Sequence, residues 1–139
     1  MSKIKVKLVT PVKILFDDEA DMIIMRTREG DIGVLHGHTA LTTSLGYGVL
    51  KVFNEGQETQ LFAVLGGFAE INGEGVTILS DAAERPQDID RERAEEAKAR
   101  AERDMAEKSD NSDIARAQYA LRRALVRLEI STYNLTQNK

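Results

Sequence analysis

No glycine follows Gly75 and no proline follows Pro86, and that change of composition divides the chain into two unlike halves. All ten glycines lie in the first half, which alternates polar and apolar residues with period two in short runs. "KIKVKLV" (Lys3 to Val9) sends Ile4, Val6 and Leu8 one way and three lysines the other. Asp21 to Thr27, Tyr47 to Phe53, Thr59 to Leu65 and Gly75 to Ser80 repeat the pattern. Turn signals separate these runs: "REGDIG", "NEGQ" and "NGEG". Many short strands punctuated by glycine predict a β-sandwich or barrel. About 85 residues are enough to close one small core of that kind.

Beyond Pro86 the pattern predicts an antiparallel pair of helices. The first runs from about Asp88, its N-cap, to about Lys108, with Asp90 and Glu92 favouring the positive helix start. "SDNSD" (Ser109 to Asp113) is read as the turn, with Ser112 or Asn111 capping a second helix from about Asp113 to about Tyr133. The expected domains are therefore 1–85, a β-sandwich, and 86–139, a helical hairpin.

The first helix carries Asp90, Arg93, Ala94, Ala97, Arg100, Ala101 and Asp104 on one face, and between Asp90 and Lys108 its only large apolar residue is Met105. An alanine seam brings helix axes close but removes little apolar area from water. The second helix has an apolar stripe of Ile114, Ala117, Leu121, Ala124, Leu125 and Leu128. Arg116, Arg123 and Arg127 form a separate ridge, read either as a solvated basic face or as half of an anion site. In an antiparallel pair, Arg93 and Arg100 join Arg123 and Arg127, and guanidinium forks suit phosphate oxygens.

Other classes find little support. The chain has no cysteine, hence no disulfide, no thiol chemistry and no cysteine-held zinc. The net charge of -4 sits in the first half; residues 87–139 carry 11 basic and 11 acidic groups. That balance suits a solvated hairpin better than a nucleic-acid arm. No apolar run approaches the ~20 residues of a membrane helix, and no signal core is visible, so a cytoplasmic protein is expected. No phosphate-cradling Gly-x-x-x-x-Gly-Lys-Ser/Thr loop occurs, and Ser44, Ser80, His36 and His38 form no nucleophile arrangement. His36 and His38 lack a nearby third ligand and are read as turn residues rather than a metal pair.

With these parts in place, the chain resembles the epsilon subunit of bacterial F-type ATP synthase over its whole length. "EGDIGVLHGHTAL" (Glu29 to Leu41), "GGFAEI" (Gly66 to Ile71) and "AAERPQDIDRERA" (Ala82 to Ala94) carry the resemblance. The family's usual proline is His36 here, which loosens the turn without forbidding it. The resemblance implies a ten-stranded sandwich followed by a two-helix hairpin. It implies a non-catalytic central-stalk subunit, peripheral at the cytoplasmic face of the bacterial plasma membrane. Its partners would be the gamma subunit, the c-subunit ring and, through an extended hairpin, the alpha and beta catalytic subunits.

Some members of this family bind ATP through Ile/Leu-Asp-x-x-Arg-Ala, present here as Ile89, Asp90, Arg93 and Ala94. By resemblance Glu84, Ile89, Asp90 and Ala94 surround adenine, and Arg93, Arg100, Arg123 and Arg127 face the phosphates. ATP is then a regulatory ligand, with no catalytic residue, no resident metal and no cofactor for catalysis. Magnesium dependence and the coupling ion, proton or sodium, are not legible. Two other readings stand beside this one: a free nucleotide-sensing module, and a small sandwich enzyme with a helical arm. Co-purification with gamma separates the first from the leading reading, and turnover is required by the second.

Overall fold

The alternation of the first run survives folding. A computed structural model describes residues 2–137, with side chains as far as Tyr133. In it β1 (Ile4–Val9) buries Ile4, Val6 and Leu8 and exposes Lys5 and Lys7. The strands that follow are β2 (Ile14–Ala20), β3 (Met22–Thr27), β4 (Gly30–Val34), β5 (Leu41–Ser44) and β6 (Tyr47–Phe53). After them come β7 (Gln60–Leu65), β8 (Phe68–Ile71), β9 (Gly75–Leu79) and the two-residue β10 (Ala83–Glu84). They form two five-stranded sheets, in the orders β2-β1-β9-β8-β5 and β10-β7-β6-β3-β4. The pairing is antiparallel except between β1 and β9. Inward residues of both sheets make one core, in which Leu8, Ile23, Leu50, Ile71 and Ile78 are almost wholly removed from water. Each such side chain stabilises the sandwich by about 1.5–3 kcal/mol.

Two local features depart from the sequence reading or bear on later argument. "REGDIG" is read as a turn, but the turn ends at Gly30. There Thr27 Oγ1 donates to the Gly30 carbonyl at 2.7 Å, the Glu29 N–H donates to Thr27 Oγ1, and Gly30 takes φ 129°. The rest of that segment is β4, because its backbone pairs with β3. At the free edge of its sheet, β2 carries Asp17, Asp18 and Glu19, all exposed. Asp18 lies opposite Val6, so it occupies a core-facing register at the rim.

Gly67 sits where β8 begins, at φ 110°, and a Cβ there would lie 2.1 Å from the Leu79 carbonyl oxygen. Gly67→Ala therefore meets an unfavourable backbone region and a backbone clash together. A loss of roughly 1–3 kcal/mol is expected, read as a lower denaturant midpoint with unchanged slope.

The chain divides between Arg85 and Pro86 into two compact units. The second holds a 3-10 turn (Pro86–Asp88), α1 (Arg91–Glu107) and α2 (Asn111–Gln137). Three residues connect the helices, which forces an antiparallel hairpin. Both predicted caps move. Asp90, not Asp88, caps α1, because Pro86–Asp88 is spent on the tighter turn. Asp110, not Ser112 or Asn111, opens α2: its carboxylate accepts from the Ser112 N–H at 2.8 Å and the Ser112 hydroxyl at 2.7 Å. The hydroxyl bond, then the backbone bond, hold the Asp110 carboxyl below the ordinary aspartate range. A depressed carboxyl stabilises above its unfolded pKa and loses that effect as the pH falls through its lowered value, so the α2 start should fray only in acid. Among the described residues, no helix is long and apolar enough to cross a membrane.

Candidate functional site

The hairpin is zipped by four alanines. Ala94 and Ala101 are the buried residues of α1, and Ala117 and Ala124 are buried on α2. Each pair is spaced by seven and lies equally far from the connecting loop. In an antiparallel pair this sets Ala94 opposite Ala124 and Ala101 opposite Ala117. The expected stripe of α2 is partly corrected. Ile114, Leu121 and Leu128 are half-buried, while Leu125 is 45% exposed. Val126 and Ile130, outside that stripe, are buried on the far side of α2 from the seam. The sequence signal for them is their own i, i+4 spacing, which the leucine stripe masks.

The seam register fixes where the charges stand. At about 100° per residue, Arg93 and Arg100 lie on one flank of α1, and Arg116, Arg123 and Arg127 on one flank of α2. In an antiparallel pair these two flanks are on the same side. Arg93 is level with Leu125, between Arg123 and Arg127, and Arg100 is level with Gln118, near Arg116. Arg93, Arg100 and Arg116 are exposed, whereas Arg123 and Arg127 are half-buried. The guanidinium groups of Arg93, Arg100, Arg116 and Arg123 have no carboxylate at ion-pair distance among the described residues. On the other flank, Arg91 pairs with Glu95 and Lys98 with Glu102. The hairpin thus keeps its neutralised pairs on one side and concentrates positive charge on the other.

The remaining predicted residues fall as follows. Ile89 is half-buried, just after the 3-10 turn, and Ala94 is buried one turn further on. Asp90 accepts the Arg93 N–H at 3.1 Å through Oδ1, which leaves Oδ2 for a donor from outside the helix. Ile89, Asp90, Arg93 and Ala94 are therefore gathered at the start of α1, with Arg123 and Arg127 level with them on α2. Glu84 belongs to the first unit, half-buried on β10 opposite Ala63. The sandwich also carries an open hollow of about 560 Å3 between the β3–β4 turn and β5, and none of the predicted residues lines it. His38 Nδ1 lies 2.7 Å from the Thr39 carbonyl, to which it donates, and His36 is exposed nearby. Among the described residues, no three His, Cys, Asp or Glu are placed to hold a metal.

Comparison with known proteins decides the family. Residues 3–86 match the model of the ATP synthase delta/epsilon chain β-sandwich domain, and residues 87–132 match that of its long α-helix domain. The chain belongs to the ATP synthase delta/epsilon family. It is 43% identical to the ATP synthase epsilon chain of Bacillus velezensis over 131 residues, 94% of this chain and 98% of that one. The epsilon chain of Clostridium novyi is 44% identical over 126 residues, covering 91% of this chain and 95% of that one. A subunit in the structure of the Euglena gracilis mitochondrial ATP synthase OSCP/F1/c-ring superposes with a TM-score of 0.83. It is 27% identical and covers 95% of this chain and 82% of that one. In this epsilon-type subunit, the four alanines and the arginine flank are the distinctive content of the second unit.

Substitution isolates the capping role of Asp90. Asp90→Ala removes the cap and should cost about 1 kcal/mol of helix stability, whereas Asp90→Asn keeps it. Far-UV circular dichroism melts of the two variants check this: equal melting would show that the cap contributes nothing.

Proposed function

We propose that this chain is a non-catalytic rotor subunit of an F-type ATP synthase whose helical hairpin senses ATP. The observation that carries the reading is the Ile89-Asp90-x-x-Arg93-Ala94 cluster at the start of α1, with Arg123 and Arg127 level with it. Asp90 Oδ2 offers an acceptor to an exocyclic amine, and by the family resemblance Glu84, Ile89 and Ala94 complete the adenine surroundings. Arg93, Arg100, Arg123 and Arg127 offset a triphosphate. Support for the assembly comes from the epsilon-chain relatives and from the OSCP/F1/c-ring assembly that holds the Euglena neighbour.

In this reading the sandwich docks on the gamma subunit and the c-subunit ring, at the cytoplasmic face of the plasma membrane, and serves the coupling of ion flow to ATP synthesis. The hairpin binds ATP when folded. When extended, it turns Arg116, Arg122, Arg123 and Arg127 toward acidic groups of the alpha and beta subunits and restrains hydrolysis.

The test is calorimetric titration of the isolated chain with ATP, paired with a phosphate-release assay. Saturable heat without phosphate release is expected. No heat at millimolar ATP would overturn the nucleotide reading, and release of phosphate would overturn the non-catalytic one.

A further inference from the structure

We propose that the arginine flank of the hairpin binds linear polyphosphate chains longer than a triphosphate, with Arg116 holding the added phosphoryl groups. Three bridged phosphoryl groups span less than two helical turns, ~11 Å. The flank runs from Arg127 to Arg116, eleven residue steps along α2, or roughly 16 Å of helix rise. Its arginines fall in two groups by level: Arg127, Arg93 and Arg123 together, then Arg100 and Arg116 about two turns away from Arg123 at the furthest. The first group with Arg100 already meets the charge of a triphosphate, which leaves Arg116 beyond its end.

Arg116 is exposed and has no ion-pair partner among the described residues. The nearest acids by helical position are Asp90 at one end and Asp104 and Asp113 at the other, so carboxylates bracket the ladder without interrupting it. Levels only ~3 Å apart within each group suit the dense charge of a polyphosphate, whose bridged phosphoryl groups bind guanidinium forks in succession. The inference shares the phosphate half of the nucleotide reading and does not need the adenine half.

The experiment titrates the intact chain with inorganic tripolyphosphate, long-chain linear inorganic polyphosphate, ATP and adenosine 5′-tetraphosphate, by calorimetry at fixed ionic strength. Affinity per bound site should be at least ~10-fold higher for the long chain than for tripolyphosphate. Arg116→Ala, at an exposed position, should erase that gain while leaving tripolyphosphate and ATP binding and the melting temperature unchanged. A gain for adenosine tetraphosphate over ATP that Arg116→Ala also erases would identify a nucleotide-borne chain; a gain only with the inorganic chain would identify the free polymer. A long chain that binds no tighter than tripolyphosphate, or a gain that persists in Arg116→Ala, overturns the proposal. If ATP gives no heat while the Arg116-dependent gain appears, the nucleotide reading fails and this one stands.

Discussion

Arg93→Ala and Arg123→Ala are each expected to weaken ATP binding by ~1.5–3 kcal/mol, roughly 10- to 150-fold, the usual range for a hydrogen bond to a charged group. The two residues lie on the same side of the alanine seam, about 3 Å apart in level, so a phosphoryl group lying along that side is within the scope of forks from both helices. Removing both should cost less than the sum of the single losses, since they share a ligand group. Lysine at either position keeps the charge but not the fork and should recover only part of the affinity. Because neither guanidinium has an ion-pair partner among the described residues, truncation orphans no carboxylate, and the melting temperature without ATP should hardly move. Wild-type affinity in both variants would remove the phosphate role from this flank.

Saturating ATP is expected to convert a nearly balanced hairpin into a folded one. The α1–α2 seam buries alanine, which contributes little area, so parting the two helices should cost little free energy, while Val126 and Ile130, buried on the other face of α2, add a cost only where that face is uncovered. A ligand selective for the folded form adds RT ln(1 + [L]/Kd), ~2.7 kcal/mol at a hundred times Kd, enough to move an even equilibrium to about 99:1. The chain has no cysteine, so Glu58→Cys and Gln118→Cys, both at exposed positions, give two unique labels. In the assembled enzyme their distance distribution should narrow to one population as ATP rises and broaden as it falls, in step with inhibition. A distribution indifferent to ATP, with inhibition still changing, would show that the hairpin is not the switch. Ala94→Leu tests the same balance without ligand, since a larger side chain cannot enter so close a seam and should favour the open form.

The sandwich was legible because period two and glycine turns are local signals that the core then enforces. The runs at Tyr47 and Gly75 begin where β6 and β9 begin. β4 was harder to see, since its short GDIGV segment reads as turn chemistry until β3 supplies partners. The caps moved for a similar reason. Asp88 and Asp90 are equally good caps on paper, and only the fixed φ of Pro86 and the tight turn after it select Asp90. On α2 the leucines drew attention from Val126 and Ile130, because a periodicity count weights size and cannot say which of two apolar faces is covered. The arginine ridge itself was visible, as spacing by four and seven. That the α1 and α2 arginines share a side follows from the handedness of two antiparallel helices, and their levels required the alanine register.

The acidic edge of β2 has a consequence for the subunit's life before assembly. An open sheet margin offers unpaired amide and carbonyl groups to any passing strand, including another copy of the same chain. Asp18, at a core-facing register on the rim, makes such stacking bury a carboxylate with no counter-charge, while Asp17 and Glu19 repel an identical neighbour. A newly made copy can therefore stay single until it meets its assembly, without seeding fibres.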